Sequence, residues 1–445
     1  MNKFETLAHR EKPENIPGAF DDMWYKRFKS VGAFMDFEYL SGKKEIRSQQ
    51  KNKFLSGEIE NPSLDFPDLG NFDFDQKEQR LLLLRGNILS QEKNLAVRES
   101  YRTRVNEQLA VVRMLKAARD GDDRRFARYS NFIYGKPDSE FYQHTIYQIK
   151  EVIDQKISDP DPEISSAAKR LNAELFEVLM NNENTIRPEE FNLPEAKSFG
   201  DEKVYSAEEI KSAFEEYLQK FQLAGWKVVV EKEGKITNLS VSQHKRVVNI
   251  PSTRKLKHSD LLALMEHELG THVLQREKGE RSKLKLLALG LDRSPKGEEG
   301  IATYREQKIK GVKSFRGLDY HFAISLARGM DGKKRDFRQV FEILKDYYFI
   351  RSKKEKVSAL ETSKNDAWND CVRIFRGTTC KTPGACLSRD MVYREGNIGV
   401  WQLLKERPGA EIKFSIGKYD PTNPRHIWLL EQLAINDEDL ENLEK

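Results

Sequence analysis

The chain has 445 residues, enough for about three domains of ordinary size, with 38% hydrophobic residues and 33% charged ones. Lys and Arg number 76 against 71 Asp and Glu, a net charge of +5 that lacks the concentrated basic excess of a dedicated nucleic-acid binder. No run approaches the roughly 18 apolar residues of a membrane-crossing helix, and the start of the chain lacks an apolar core of signal-peptide length. Three cysteines, Cys371, Cys380 and Cys386, cannot all pair within the chain and show no close CxxC spacing. They read as reduced thiols, and the expected location is cytoplasmic.

Residues 1–70 are punctuated by Pro13, Pro17, Pro62, Pro67, Gly57 and Gly70 and are expected to be poorly structured. From Gln76 apolar residues recur at intervals of three and four, so that Leu82, Leu83, Ile88, Leu95, Val97, Val105, Leu109, Val112 and Leu115 form one candidate buried stripe, stopped by Gly121. Further helices are expected over 140–155 and 162–180. Near residue 200 the pattern changes. Ser206 to Leu223 reads as an amphipathic helix with a Ser206–Glu209 capping box. Strands are expected over 228–231, 236–241 and 246–250, forming a small antiparallel sheet. Helices then run from His258 to about Leu404, followed by a short strand over 412–415 and a last helix over 425–435.

The stretch HSDLLALMEHELGTHVLQREKG, residues 258–279, carries the chemistry. Ser259 is the expected N-cap and Gly279 the expected stop. Into this apolar helix the sequence sets Glu266, His267, Glu268 and His272, whose burial costs several kcal/mol unless something pairs with them. A divalent cation bound by two imidazoles offsets that cost. The histidines stand at i and i+5 rather than i and i+4, which on a regular α-helix separates them by roughly 140°. One extra residue accommodated as a π-bulge restores a common face, and Gly270 opposes it least, so a bulge is expected at Leu269–Thr271. A catalytic zinc generally needs a third protein ligand. The next helix, opened by Pro295 and Gly297, offers Glu298 and Glu299, and small Gly300 and Ala302 let it approach the first helix closely.

HELGTH followed by EEGIA resembles the tyrosine carboxypeptidase-type family, which includes the microtubule-associated tyrosine carboxypeptidases and many bacterial members. The family signatures, H-E-[IL]-G-T-H and a Q-E-G-L-A-like motif, stand here as residues 267–272 and 298–302. The resemblance extends over about residues 70–435 through Tyr134-Gly135-Lys136-Pro137, Gly225-Trp226, Arg373-Ile374-Phe375-Arg376-Gly377 and Ser388-Arg389-Asp390-Met391-Val392-Tyr393. Ser388-Arg389-Asp390 replaces the usual Thr-Lys-Asp, and TTCKTPGACL, residues 378–387, adds two cysteines that have no place in the pattern.

The resemblance aligns Glu299 with the family glutamate and so implies one Zn²⁺ per chain held by His267, His272 and Glu299, with Glu268 as general base. Tyr320, His321, Tyr304 and Tyr393 are candidate oxyanion donors. Arg373, Arg376 and Arg389, with Arg316 behind them, and Tyr393 are candidates for holding substrate, Arg being suited to a terminal carboxylate. The implied reaction releases a C-terminal Tyr or Phe from a peptide or protein. Basic runs at 333–335 and 351–356 offer attraction to an acidic tail. Rival readings are a non-catalytic metal-binding regulator and a zinc amidase or deacylase with a small-molecule substrate. The expected architecture is α+β and mostly helical. It has a helical N-terminal part (71–200), a zincin-like, gluzincin-type metallopeptidase core (201–435) and a tail (436–445). Neither nucleic acid nor membrane is an expected partner.

Overall fold

The computed structural model describes residues 18–31, 39–176 and 199–435 except 201, 224, 237 and 313, together with 195 and 197. The expected end of one helix, 177–180, and the tail lie outside the described residues. Within the first seventy residues, α1 (Asp22–Val31) and α2 (Lys44–Leu55) correct the expectation of a poorly structured segment. The prolines flank these helices and leave them intact. Trp24, Phe28 and Phe54 are buried, and Asp21 accepts the amides of Lys285 and Leu286 and the hydroxyl of Tyr101.

The single stripe expected from Gln76 is two helices, α3 (Phe74–Gln91) and α4 (Leu95–Arg119). Asn94 caps the second by accepting the amides of Ala96 and Val97, which resets the helical phase. Leu83 is therefore 68% exposed, while Leu81 and Leu84 point inward. Next come α5 (Asp123–Tyr134), α6 (Ser139–Lys156) and α7 (Pro162–Phe176).

β1 (Val204–Tyr205) leads into α8 (Ala207–Lys220), which begins with the expected Ser206–Glu209 capping box. β2 (Lys227–Glu231), β3 (Ser240–Ser242) and β4 (Val247–Pro251) follow, then β5 (Leu256–Lys257), which pairs antiparallel with β1. The three-stranded sheet is mixed rather than antiparallel, with order β2-β4-β3. β2 runs parallel to β4, and β3 forms an antiparallel pair with it. β4 alternates fully buried Val248 and Ile250 with Asn249, and as the best-buried strand it takes the centre. β2 then flanks it on the side the β3–β4 hairpin leaves open.

The metal-motif helix, α9 (His258–His267), runs through a π-helical turn (Glu268–Val273) into α10 (Leu274–Arg281). Its N-cap is Lys257 rather than Ser259. Ser259 lies in the first turn, where Glu202 accepts both its amide and its hydroxyl. Gly279 does not stop the helix. It lies inside α10, where a Cβ would come 2.4 Å from the Ala288 nitrogen, so its smallness serves close approach.

The remaining helices are α11 (Ser294–Lys310), α12 (Leu318–Arg328), α13 (Phe337–Arg351), α14 (Lys356–Phe375), α15 (Val392–Glu406) and α16 (Pro424–Gln432). Pro408–Ser415 is a 3₁₀ turn where a strand was expected. Its carbonyl at Phe414 is taken by the Gln275 amide, and among the described residues no strand pairs with it. The described residues are mostly helical with two small sheets, and no described helix is long and apolar enough to cross a membrane.

Three large apolar cores, with two smaller clusters beside them, tie the described elements together. One joins α6 and α7 to α12, α13 and α14, and another joins α1 and α3–α5 to residues 284–291 and α16. The third lies between the three-stranded sheet, α8 and the motif helix. Because the first two mix residues from both halves of the chain, the N-terminal helices and the motif segment share their cores.

Gly300 was expected to let α11 approach the motif helix. It faces α15 instead, where a Cβ would lie 2.4 Å from the Gly396 carbonyl oxygen, and a Cβ on Gly396 would lie 2.1 Å from that of Lys296. Backbone meets backbone at this crossing, so Gly396→Ala should lower stability by about 2 kcal/mol or more. Gly86→Ala, in an exposed interior position of α3 with nothing within 4 Å of the added carbon, should raise it by roughly 0.5–1 kcal/mol. Urea unfolding of the two variants reads both signs.

Candidate metal centre

The i, i+5 spacing of His267 and His272 is resolved by the π turn over Glu268–Val273, which contains the expected bulge at Leu269–Thr271. Widening the helix by one residue brings the imidazoles together, with ring centroids 5.4 Å apart. The distortion needs Gly270, because a Cβ there would sit 2.7 Å from Glu266 Oε2 and 2.9 Å from the Tyr217 hydroxyl. It also displaces the regular hydrogen bonding of the helix. The Thr271 hydroxyl donates to the Glu266 carbonyl at 2.9 Å, and Arg305 of α11 donates to the Gly270 carbonyl. The same guanidinium reaches Thr271 Oγ1 at 3.2 Å and Ser415 Oγ at 2.7 Å. Burial works against the charge of Arg305, and the carboxylate of Glu266 partly offsets it.

Both histidines turn Nε2 toward one carboxylate. Glu299 Oε2 lies 3.8 Å from His267 Nε2, and Glu299 Oε1 lies 3.8 Å from His272 Nε2. Donor atoms of these three residues all fall within 4.8 Å of one another. Two ligands on one zinc, each at roughly 2.1 Å, stand at most about 4.2 Å apart, so the triad fits a divalent ion with small adjustments. The opposite ring nitrogens face outer carboxylates. His267 Nδ1 lies 3.4 Å from Glu306 Oε2, and His272 Nδ1 lies 3.8 Å from Glu298 Oε2. An outer carboxylate on the far nitrogen of a ligand imidazole fixes its tautomer and orientation.

The adjacent glutamates left open by spacing alone thus take different positions. Glu299 faces both Nε2 atoms. Glu298 is buried behind His272, accepting from the Ser294 hydroxyl and the Lys418 ammonium, each at 2.7 Å. Burial opposes its charge, but Lys418 and His272 outweigh that and hold its carboxyl well below the usual range. For His267, burial is outweighed by Glu306, Glu268 and Glu299, which raise the imidazole to about 9. Glu268 opens the π turn, half-buried beside His267.

Among the candidate donors, Tyr393 stands closest electrostatically to this carboxylate cluster. The charge of Glu299 is the largest influence raising its hydroxyl pKa, followed by burial and Asp390, with Arg373 and Arg389 opposing. Arg373 is locked by Asp390, donating from Nε at 2.7 Å and Nη2 at 2.9 Å. It lies over the Tyr320 ring and donates from Nη1 to the Tyr320 hydroxyl at 3.3 Å. Tyr320, Arg373, Asp390, Arg389 and Tyr393 therefore form one group adjoining Glu299. Arg376 donates from Nε to the Arg373 carbonyl at the end of α14.

His321 departs from the expected role. It is fully buried, with Nδ1 3.0 Å from Thr145 Oγ1 and Nε2 3.4 Å from Glu395 Oε1, so neither ring nitrogen is left for an oxyanion. Tyr304 donates to Glu411 at 2.9 Å. Arg316 pairs with Glu306 and thereby touches the outer edge of the centre. Sequence reasoning missed Glu306, Arg305 and Lys418. A signal for the first two exists, since Arg305-Glu306 stands seven residues, two helical turns, after Glu298-Glu299.

A family described as microtubule-associated tyrosine carboxypeptidase matches residues 189–434, more than half of the chain. The chain belongs to this family. Among curated relatives, microtubule-associated tyrosine carboxypeptidase 1 of Mus musculus is 26% identical over 226 residues, covering 47% of this chain and 42% of the relative. The Homo sapiens protein of the same name is 26% identical over 235 residues, covering 49% and 44%. The chain thus spans less than half the length of these relatives. No solved structure matches it. The family match contains every residue of the triad and its outer carboxylates, and begins after the N-terminal helices.

Arg305 hydrogen-bonds directly to the π turn, at the Gly270 carbonyl and the Thr271 hydroxyl. Arg305→Met should leave the Gly270 carbonyl without its donor and Glu266 without the nearby positive charge, and lower stability by about 3 kcal/mol. A fall in the urea midpoint well beyond that of an exposed control such as Lys232→Met checks this.

Proposed function

We propose that this protein is a zinc metallocarboxypeptidase that releases a C-terminal aromatic residue, Tyr or Phe, from a peptide or protein. The observation that carries the reading is the convergence of His267 Nε2, His272 Nε2 and Glu299 on one point, with Glu306 and Glu298 behind the imidazoles. The donor set of two imidazoles and one carboxylate suits zinc and leaves a coordination position open. When bound there, Zn²⁺ supplies a water acidified toward neutrality and a Lewis acid for the scissile carbonyl.

The chain's own residues do the rest. Glu268 takes the proton of the attacking water on its carboxylate and delivers it to the departing amine nitrogen. The Tyr393 hydroxyl, kept protonated by Glu299 and burial, donates to the oxygen that gains charge as the carbonyl becomes tetrahedral. Arg373, held by Asp390 and Tyr320, and Arg389 offer positive charge beside Tyr393 for the terminal carboxylate. Membership of the family supports this assignment, and the name its relatives carry, tyrosine carboxypeptidase, supports the tyrosine preference. Cytoplasmic location is part of the same proposal.

Purified protein should hold one zinc per chain by elemental analysis, and His267→Ala should abolish it; a metal-free wild type purified without chelator overturns the reading. Glu268→Gln should keep the zinc and slow removal of Tyr from a Tyr-terminated peptide by roughly 100-fold or more, whereas unchanged cleavage removes Glu268 as the base. Glu306→Gln should weaken zinc retention by about 10- to 100-fold in chelator competition, through a freed His267 ring.

A further inference from the structure

A cleft of about 1210 Å³ lies away from the metal triad. It is walled by α4, α5, the end of α12 and the Thr382–Ala385 segment. The near-neutral balance of the whole chain does not hold here. Its lining contains seven Arg and Lys side chains and one carboxylate, Asp123. Asp123 is occupied, accepting the amide and hydroxyl of Thr379. Arg124, Arg128, Lys136 and Lys334 are exposed and make no ion pair among the described residues. Unpaired like charges gathered in one concavity repel each other, and an anion relieves that repulsion.

Two further features narrow the ligand. Phe132 lines the same cleft while 48% exposed, on α5 about one turn beyond Arg128 and two beyond Arg124, and Tyr129 lines it too. The carboxamide oxygen of Asn131, also in the lining, is buried with no hydrogen-bond partner, an acceptor without a donor. An inorganic anion satisfies the cations alone, and an acidic peptide leaves the aromatic rings unused. A nucleotide answers all three: phosphates for the cations, a π face for Phe132 or Tyr129, and ring or exocyclic N–H groups for the Asn131 oxygen. We propose that this cleft binds nucleotide units, as free nucleotide or as part of a single strand. The site is independent of the metal centre.

Fluorescence anisotropy of a labelled ten-nucleotide oligo(A), with unlabelled ATP and poly-glutamate as competitors, tests the proposal on the full chain. Binding is expected to weaken steeply with salt, Arg124→Glu/Arg128→Glu to lose about 10-fold or more, and Phe132→Ala to lose about 5-fold or more. Displacement by ATP at similar concentrations per phosphate identifies free nucleotide; displacement by unlabelled oligo(A) alone identifies a strand. Both support the site. Absence of binding overturns it, as does displacement by poly-glutamate as effective as that by oligo(A). So does Phe132→Ala affinity equal to wild type in a protein of unchanged thermal midpoint. The substituted side chains are exposed, so the fold is retained. Zinc content and peptide cleavage should stay at wild-type values in all variants.

Discussion

The centre depends on one extra residue wound into one helical turn. An i, i+5 pair on a regular helix points its imidazoles apart, and every other feature of the site follows from how that mismatch is accommodated. The π turn brings the rings together but disturbs its own hydrogen bonding. Gly270 makes room for the wider turn against Glu266 and Tyr217, and Arg305 takes the Gly270 carbonyl. A helix that must bend this way cannot be held by its own propensity. It is held from α11 and from the 414–418 segment, through Arg305, Ser415, Gln275 and Lys418.

The same helix that supports the turn also completes the centre. Positions seven apart on an α-helix differ by only about 20° around its axis, so α11 presents two neighbouring stripes. Glu299 and Glu306 form one, reaching Nε2 and Nδ1 of His267 from two turns of the same helix. Glu298 and Arg305 form the other, serving His272 and the distorted backbone. One element thus positions an inner carboxylate, two outer carboxylates and the backbone clamp together. The close Gly300–Gly396 crossing presses this helix against α15, whose Tyr393 faces the Glu299 side.

What the sequence disclosed divides along the range of the interactions concerned. Local signals held: the Ser206–Glu209 capping box, the end of α4 before Gly121, and the bulge demanded by two histidines five apart. Signals that depend on a distant partner did not. Glycine at 279 and 300 looked like a helix stop and a contact with the motif helix, because close approach to Ala288 or Gly396 leaves no mark near the glycine itself. Strand candidates were visible at 228–231 and 246–250, but pairing direction is set by which strand the core buries most, so the sheet is mixed. Of the candidate site residues, His267, His272 and Glu299 meet, and Tyr393 adjoins them. His321, polar and in a plausible segment, was drawn instead into a buried network with Thr145 and Glu395. A single sequence does not distinguish a histidine facing a cleft from one satisfied in a core.

Net charge conceals the arrangement most relevant to binding. In and around the triad stand Glu266, Glu268, Glu298, Glu299 and Glu306, five carboxylates supplied by two short stretches of chain. Such a gathering is tolerable because each has a cation or imidazole beside it, and it creates a strongly negative point suited to a divalent ion. The cleft at α4 and α5 has the reverse composition, cations with hardly a carboxylate among its lining. A chain that segregates its charges in this way reports near neutrality overall while holding two sites of opposite preference. Screening in salt reaches about 8–10 Å, so each site presents its own local field to a ligand and the +5 total does not govern either. Composition constrains what the whole surface attracts at a distance, and placement decides what each concavity holds.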